Sequence, residues 1–373
     1  MNFDFTDDQK MLRDTVRKFL QNESPLTVAR EVLEQKQTHS EKVWNGLQEM
    51  GVTSLMLPES CGGFGLGALD LCVVAEELGR QLTPTPLSST LYLAAQALLL
   101  GADETQQQQW LTRIAEGSIA TMAAPLDGKN TPLPSFESGE LNGKAALVPD
   151  ALSAEFAVIL AANSDNQPVW VVADLSEKTE RTALTTIDEA RPFGALSFNG
   201  TPAQPLNQVS DARELLQQVR NRAAVLFAFE QIGGADAITE ISVEYARERK
   251  TFGRAIGSYQ GIKHKLADIY TGNQMARAHC YYGAWALDSD SPELAIAAAG
   301  ARVSASRAFN YAAQESIQVH GGMGYTWELD CHLFYRRTRQ LALILGPEQQ
   351  WSERIASELE QKFLSEEETT HTA

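Results

Sequence analysis

The second half of the chain is written as long Ala-rich stretches whose apolar residues recur every three or four positions. That period commits it to helices packed side by side. The stretches cover residues 211–248, 260–288, 292–320 and 331–363, and helices of this length and composition are expected to stack antiparallel as a four-helix bundle. Pro292 suits a helix start, where its missing N–H costs nothing. Two polar, glycine-bearing blocks interrupt the pattern: residues 245–260, YARERKTFGRAIGSYQ, and residues 318–325, QVHGGMGY. Arg249 offers a rigid fork of donors that matches phosphate oxygens. Gly321 and Gly322 together remove two Cβ atoms, so a backbone can approach a ligand closely. A diphosphate-bearing cofactor is the expected ligand, although either block alone reads equally well as a surface arginine or a glycine helix stop.

The first part of the chain is also helical. Thr6 is placed to N-cap a helix with Asp7 and Asp8 in its first turn and Met11, Leu12, Val16, Phe19 and Leu20 on one face. A glycine-rich stretch, 55–67, lacks the GK[ST] signature of a phosphate loop and is read as a structural turn. Near Ala120 the composition changes. From there to about Leu206, Pro, Gly, Thr and Val dominate, and 156–161, 169–173 and 195–198 are strand candidates. Gly139, Asn142-Gly143 and Asn199-Gly200 are expected to make hairpin turns. The predicted fold class is α+β, mainly α: an N-terminal helical domain (1–120), a small middle β domain (121–206) and a C-terminal four-helix bundle (207–364). The acidic tail, 365–373, is expected to be disordered.

A net charge of −17 argues against nucleic acid or an anionic membrane as partner, because a phosphate backbone demands clustered Lys and Arg. It leaves an anionic small substrate open, since local fields override net charge. Cys61, Cys72, Cys280 and Cys331 have no CxxC spacing and read as free thiols, and no metal-ligand set is read. The first ten residues are acidic and polar rather than basic then apolar, and the apolar run 91–100 is too short to span a bilayer. A cytoplasmic location without membrane insertion is the expectation.

Helices, β insert, bundle and the two blocks, in that order, resemble the acyl-CoA dehydrogenase family over nearly the whole chain. The segments that carry the resemblance are YARERKTFG with the downstream Gln260 and HKLAD (245–268), and QVHGGMGYT (318–326). The continuation GYTWELDCHLFYRR (324–337) is similar to the branch that acts on bulky substrates such as steroid side-chain CoA thioesters. The resemblance implies an FAD enzyme that desaturates the α–β bond of an acyl-CoA thioester. It puts Arg249 on the FAD pyrophosphate, with Thr251, Phe252 and Gln260 touching the cofactor. Gln318, Gly321 and Gly322 would approach from a neighbouring subunit, and Gln349 is a further contact. It also implies an oligomer: a homodimer or homotetramer, or an α2β2 heterotetramer with a related chain. The electron acceptor is left open. Asp268 and His264, in HKLAD, read as structural: a partner for an arginine or helix terminus, and an orienting or core histidine.

The chemistry needs a positioned carboxylate to take the α-proton. The two family locations for it fall here on Leu345 and Ala223, neither of which can accept a proton. The family's flavin-contacting stretch in the middle domain falls on TMAAPLDGKN (121–130), where only Pro125 is retained. Substitute bases are Glu230, about 10 Å along the helix from Ala223, Asp330 and Glu348. Glu230 reads rather as a paired structural acid, and Asp330 as the N-cap of the last long helix. Three readings follow: a subunit whose site is completed by a sister chain, a homo-oligomeric enzyme with a relocated base, or a non-catalytic scaffold that keeps the fold.

Overall fold

A computed structural model describes residues 5–128 and 131–371. The N-terminal part is helical: α1 (Asp7–Glu23), α2 (Leu26–Gln35), α3 (Glu41–Glu49) and α4 (Ala68–Arg80). A π-helical segment, Ser88–Ala94, then runs into α5 (Ala95–Gly101), and α6 (Glu104–Ala115) follows. Thr6 caps α1 as expected: its hydroxyl accepts from the Gln9 amide while the Gln9 side chain accepts from the Thr6 amide. The glycine-rich stretch folds on itself, so closely that a Cβ on Gly63 would sit 2.0 Å from the Leu57 carbonyl oxygen.

The middle part is one sheet built from β1 (Ala120–Ala123), β2 (Ser135–Glu137), β3 (Glu140–Pro149), β4 (Phe156–Ala162), β5 (Pro168–Asp174), β6 (Thr179–Leu184), β7 (Phe193–Pro202) and β8 (Gln204–Pro205). The strand order is β6-β7-β3-β2-β4-β5-β8, with β1 parallel to β4. Gly139 makes a turn between β2 and β3, where φ is +83°. The other two expected turns are instead irregularities inside long strands. Asn142 and Asn199 pair across β3 and β7 at a register shift, the Gly200 amide donates to Asn142 Oδ1, and Gly143 and Gly200 take the positive φ values that the distortion requires.

The C-terminal part holds α7 (Ala212–Glu248), a two-stranded ribbon of β9 (Lys250–Thr251) and β10 (Arg254–Ala255), α8 (Gln260–Asp288), α9 (Leu294–His320), α10 (Cys331–Leu343) and α11 (Glu348–His371). The stretch 331–363, expected as one helix, is two. Gly346, with φ +93°, and Pro347, with no N–H to give, stop α10 and restart the chain as α11. Most of the stretch 365–373 expected to be disordered continues α11, consistent with the helix propensity of its glutamates. α7 is the central column. It meets α4 so closely that a Cβ on Gly79 would lie 1.9 Å from the Glu230 carbonyl oxygen, and one on Gly233 2.0 Å from that of Glu76. These two glycines let the helical domain and the bundle share one core, into which Phe227, Phe229 and Phe309 are fully buried. The four cysteines are free and buried, and among the described residues no helix is long and apolar enough to cross a membrane.

Candidate functional site

At the C-terminal end of α7 the chain leaves the helix at Arg249, whose amide still donates to the Tyr245 carbonyl. It then turns back through β9 and β10. Phe252 and Gly253 both have positive φ (+53° and +85°), the signature of a tight hairpin, and Phe252 is left 92 % exposed. The Ile256 amide donates to the Arg249 carbonyl and the Tyr259 hydroxyl to the Thr251 carbonyl, which fixes the loop against the start of α8 at Gln260. The second block lies beside it. The ring of Tyr245 stacks on His320 with centroids 4.2 Å apart, and its hydroxyl donates to the His320 carbonyl. Gly321 follows with φ +60° and ψ −139°, a conformation open only to glycine.

Arg249, Thr251, Phe252, Gln260, Gln318, Gly321 and Gly322 are thus gathered at one end of one bundle, all exposed. Among the described residues, nothing beyond the adjoining chain lies within 4 Å of where a Cβ on Gly321 or Gly322 would stand. Within one chain the glycine block therefore stands beside Arg249, where the resemblance implied an approach to the cofactor from a neighbouring subunit. The Tyr245–His320 stack holds the two blocks together in a single chain. The surface they form, an open guanidinium and bare backbone beside an exposed aromatic ring, fits a diphosphate carrying a flat ring system.

Gln349, Leu345 and Glu348 are elsewhere. They sit at the break between α10 and α11, where the Leu345 carbonyl accepts from Arg220 Nη2 (3.1 Å) and Trp351 Nε1 (3.0 Å). Arg220 is in the first turns of α7, about eight turns before Arg249, so the two ends are about 44 Å apart along the helix axis. The loop after β1 lies over this break: a Cβ on Gly346 would stand 3.2 Å from the Asp127 carbonyl oxygen, and one on Gly128 3.3 Å from Arg220 Nη1. Lys129 and Asn130, the last two residues of the TMAAPLDGKN stretch, lie outside the described residues. Leu345 and Ala223 are both fully buried.

The substitute bases are all engaged by arginines. Glu230, 1 % exposed, accepts from Arg191 Nη1 at 2.8 Å and lies 3.7 Å from Arg337 Nη1. Arg337 also pairs with Asp188, and Arg191 donates to the Ser88 hydroxyl. Asp150 completes this buried cluster, bonded to Ser89; desolvation pushes its carboxyl up to about 6 against the pull of Arg191. Asp330 makes no capping bond, contrary to expectation, because Arg30 takes its carboxylate at 2.5 Å. Glu348 bonds to Arg307 at 2.8 Å. His264 and Asp268 are exposed on α8, so the histidine is not in the core.

Sequence reading missed the partners of Glu230, and with them Asp150 and the arginines 220, 302 and 354. Arg302 is 1 % exposed inside Ala-rich α9, where Nη1 donates to Gln231 Oε1 at 2.9 Å and Nη2 to the Leu341 carbonyl. A lone arginine among alanines on an apolar helix face was the available signal.

Comparison with known proteins bears on the same two ends. The model for the acyl-CoA dehydrogenase N-terminal domain matches residues 6–118, and the one for the acyl-CoA dehydrogenase C-terminal domain matches residues 214–359. The acyl-CoA dehydrogenase IpdE2 of Mycobacterium tuberculosis is 33% identical over 355 residues, covering 95% of this chain and 98% of the relative. Among solved structures, the ChsE4–ChsE5 complex of the same organism aligns with a TM-score of 0.87 at 26% identity, over 96% of this chain and 99% of the matched one. The Tcur3481–Tcur3483 steroid ACAD has the same fold, with a TM-score of 0.83 at 24% identity over 96% of this chain and 99% of that one.

Proposed function

This chain belongs to the acyl-CoA dehydrogenase family, a family of FAD-dependent oxidoreductases, and we propose that it works as one subunit of a heteromeric enzyme that desaturates a bulky acyl-CoA thioester. In that assembly its Arg249 end completes a flavin site on a sister chain, and the sister chain supplies the base. The observation that carries this reading is the pair of apolar side chains, Leu345 and Ala223, at both family positions for the proton acceptor. The bulky-substrate part draws support from the GYTWELDCHLFYRR segment and from the steroid enzyme among the structural matches. The two-chain part draws support from the relative solved as a ChsE4–ChsE5 complex.

When bound, FAD would take the hydride released from the substrate's β carbon. The residues of this chain that would hold it are Arg249 on the diphosphate, the Gly321-Gly322 backbone at close approach, and Thr251, Phe252, Gln260 and Gln318 around them. Gln349, at the α10–α11 break beside the Arg220 end of α7, would meet a cofactor only at a different site. A single flavin that touches both ends therefore needs two chains. None of Glu230, Asp330 and Glu348 is free to act as base without giving up an arginine.

The test is to purify the chain alone and together with a related chain of similar length, and to compare flavin content and acyl-CoA-dependent bleaching at 450 nm, about the flavin absorbance band. The expected result is weak or absent bleaching from the lone chain and full bleaching from the pair. Full flavin occupancy with turnover by the lone chain overturns the shared site. A colourless pair, with no gain in melting temperature on adding FAD, would favour a scaffold.

A further inference from the structure

Where the family places its base, this chain has gathered positive charge. A cavity of about 320 Å³ opens beside Leu345, lined by Gly128, Gln217, Arg220, Gln350, Trp351 and Arg354. Arg220 reaches it from α7 and Arg354 from α11. Both guanidiniums turn to the same atom: Gln217 Oε1 accepts from Arg220 Nη1 at 3.3 Å and from Arg354 Nη1 at 3.1 Å. Both also lie over the Trp351 ring, at 5.3 and 5.7 Å from its centroid, so the tryptophan is a platform between two cations. Arg220 is only 6% exposed, and among the described residues its Nε has no hydrogen-bond partner. Burial, then repulsion from Arg354, lowers its pKa to about 10.

The hydrogen bonds that Arg220 makes go to neutral oxygens, Gln217 Oε1 and the Leu345 carbonyl, and Arg354 shares the first of them. The carboxylates that act on them are Asp127 on Arg220, and Glu358 and Glu214 on Arg354; the Glu358 carboxylate is 3.8 Å from Arg354 Nε. Arg302, deeper in the bundle, adds to the positive field at Arg220 and is itself pushed down to about 9 by burial and by Arg220. An oxyanion in the place now held by Gln217 Oε1 would accept from both forks and relieve their mutual repulsion.

We propose that the cavity between Arg220, Arg354 and Trp351 is a binding site for a small oxyanion, a phosphate or carboxylate group, in the place where a catalytic base would otherwise stand. Its size favours a small ligand: 320 Å³ is at the lower limit of small-molecule sites and suits an anionic group with a few attached atoms rather than a ring system. The site is at the opposite end of α7 from Arg249, so an anion here and a cofactor diphosphate there do not compete within one chain.

The experiment is titration calorimetry and thermal shift on the full-length protein, with its sister chain where they copurify, at ionic strength held constant with chloride. Three probes are used: inorganic phosphate, succinate and coenzyme A. Wild type is compared with Arg354→Gln, Arg220→Lys and, as a surface control outside both sites, Lys42→Gln, whose side chain is exposed. Saturable binding of at least one probe is expected, weakened on the order of tenfold or more by Arg354→Gln and untouched by Lys42→Gln. Phosphate alone, succinate alone or coenzyme A alone would each identify the source of the oxyanion. Arg354→Gln is the decisive variant because Arg354 is only partly buried, whereas Arg220→Lys checks the need for a fork and is read only if the variant melts as wild type does. The proposal is overturned if no probe binds above chloride, or if binding survives Arg354→Gln at full strength. The readout is anion affinity, so failure of the flavin reading would not move it.

Discussion

Replacing Glu230 by Gln separates a structural acid from a relocated base. The side chain keeps its volume but loses the charge that faces Arg191 at 2.8 Å and Arg337 at 3.7 Å, in a cluster that water does not reach. Removing one partner of a buried ion pair costs about 3–5 kcal/mol. Here the loss is partly offset. Glu230 repels the Asp150 carboxylate, so removing it relieves that repulsion while Asp150 still faces Arg191. The expected destabilisation is therefore at the lower end, about 2–3 kcal/mol at pH 7. Urea unfolding followed by circular dichroism reads this as a drop in midpoint at unchanged slope. The structural assignment would be refuted if Glu230→Gln unfolded within about 0.5 kcal/mol of wild type while acyl-CoA-dependent bleaching disappeared. That pair of results is what a dedicated proton acceptor would give.

Asp150 makes stability depend on pH in a direction opposite to most carboxylates. Its folded pKa of about 6 lies above the ordinary 3.8, so the folded state binds the extra proton and stability falls as pH rises through that window. A rise of that size corresponds to about 3 kcal/mol; urea midpoints at pH 4.5 and 7.5 should show the trend, and Asp150→Asn should flatten it. Gly79→Ala drives a methyl into the Glu230 carbonyl, and the protein should lose more than about 3 kcal/mol or fail to accumulate. Gly322→Ala meets open space, so its melting temperature should stay within about 1 °C of wild type while FAD affinity falls, as measured by flavin fluorescence in the assembled enzyme.

The fold was largely legible from period and punctuation. The long bundle helices, the Thr6 cap and the composition change at Ala120 all have local causes, and local causes are what a sequence displays. The failures were also physical. Gly143 and Gly200 advertise positive φ, but whether that becomes a turn or a bulge is decided by the strand paired opposite. The break at Gly346-Pro347 was visible as residues and was outvoted by the apolar period on either side. At the candidate site the spatial adjacency of the two motif blocks was not legible in the sequence. Their adjacency rests on the contact of Tyr245 with His320, residues far apart in sequence that no short-range pattern links. The arginine partners of Glu230 come from the β domain and α10, which only folding brings to α7.

The geometry of α7 explains why loss of a base need not mean loss of a role. One helix of 37 residues carries Ala223 and Arg220 near its start and Arg249 at its end. The start belongs to the site this chain would build for itself, and there the base position is apolar and the neighbouring cavity is cationic. Under the proposed shared site the end would be completed by another chain, and there the arginine fork, the hairpin with Phe252 and the bare Gly321-Gly322 backbone are all present and open.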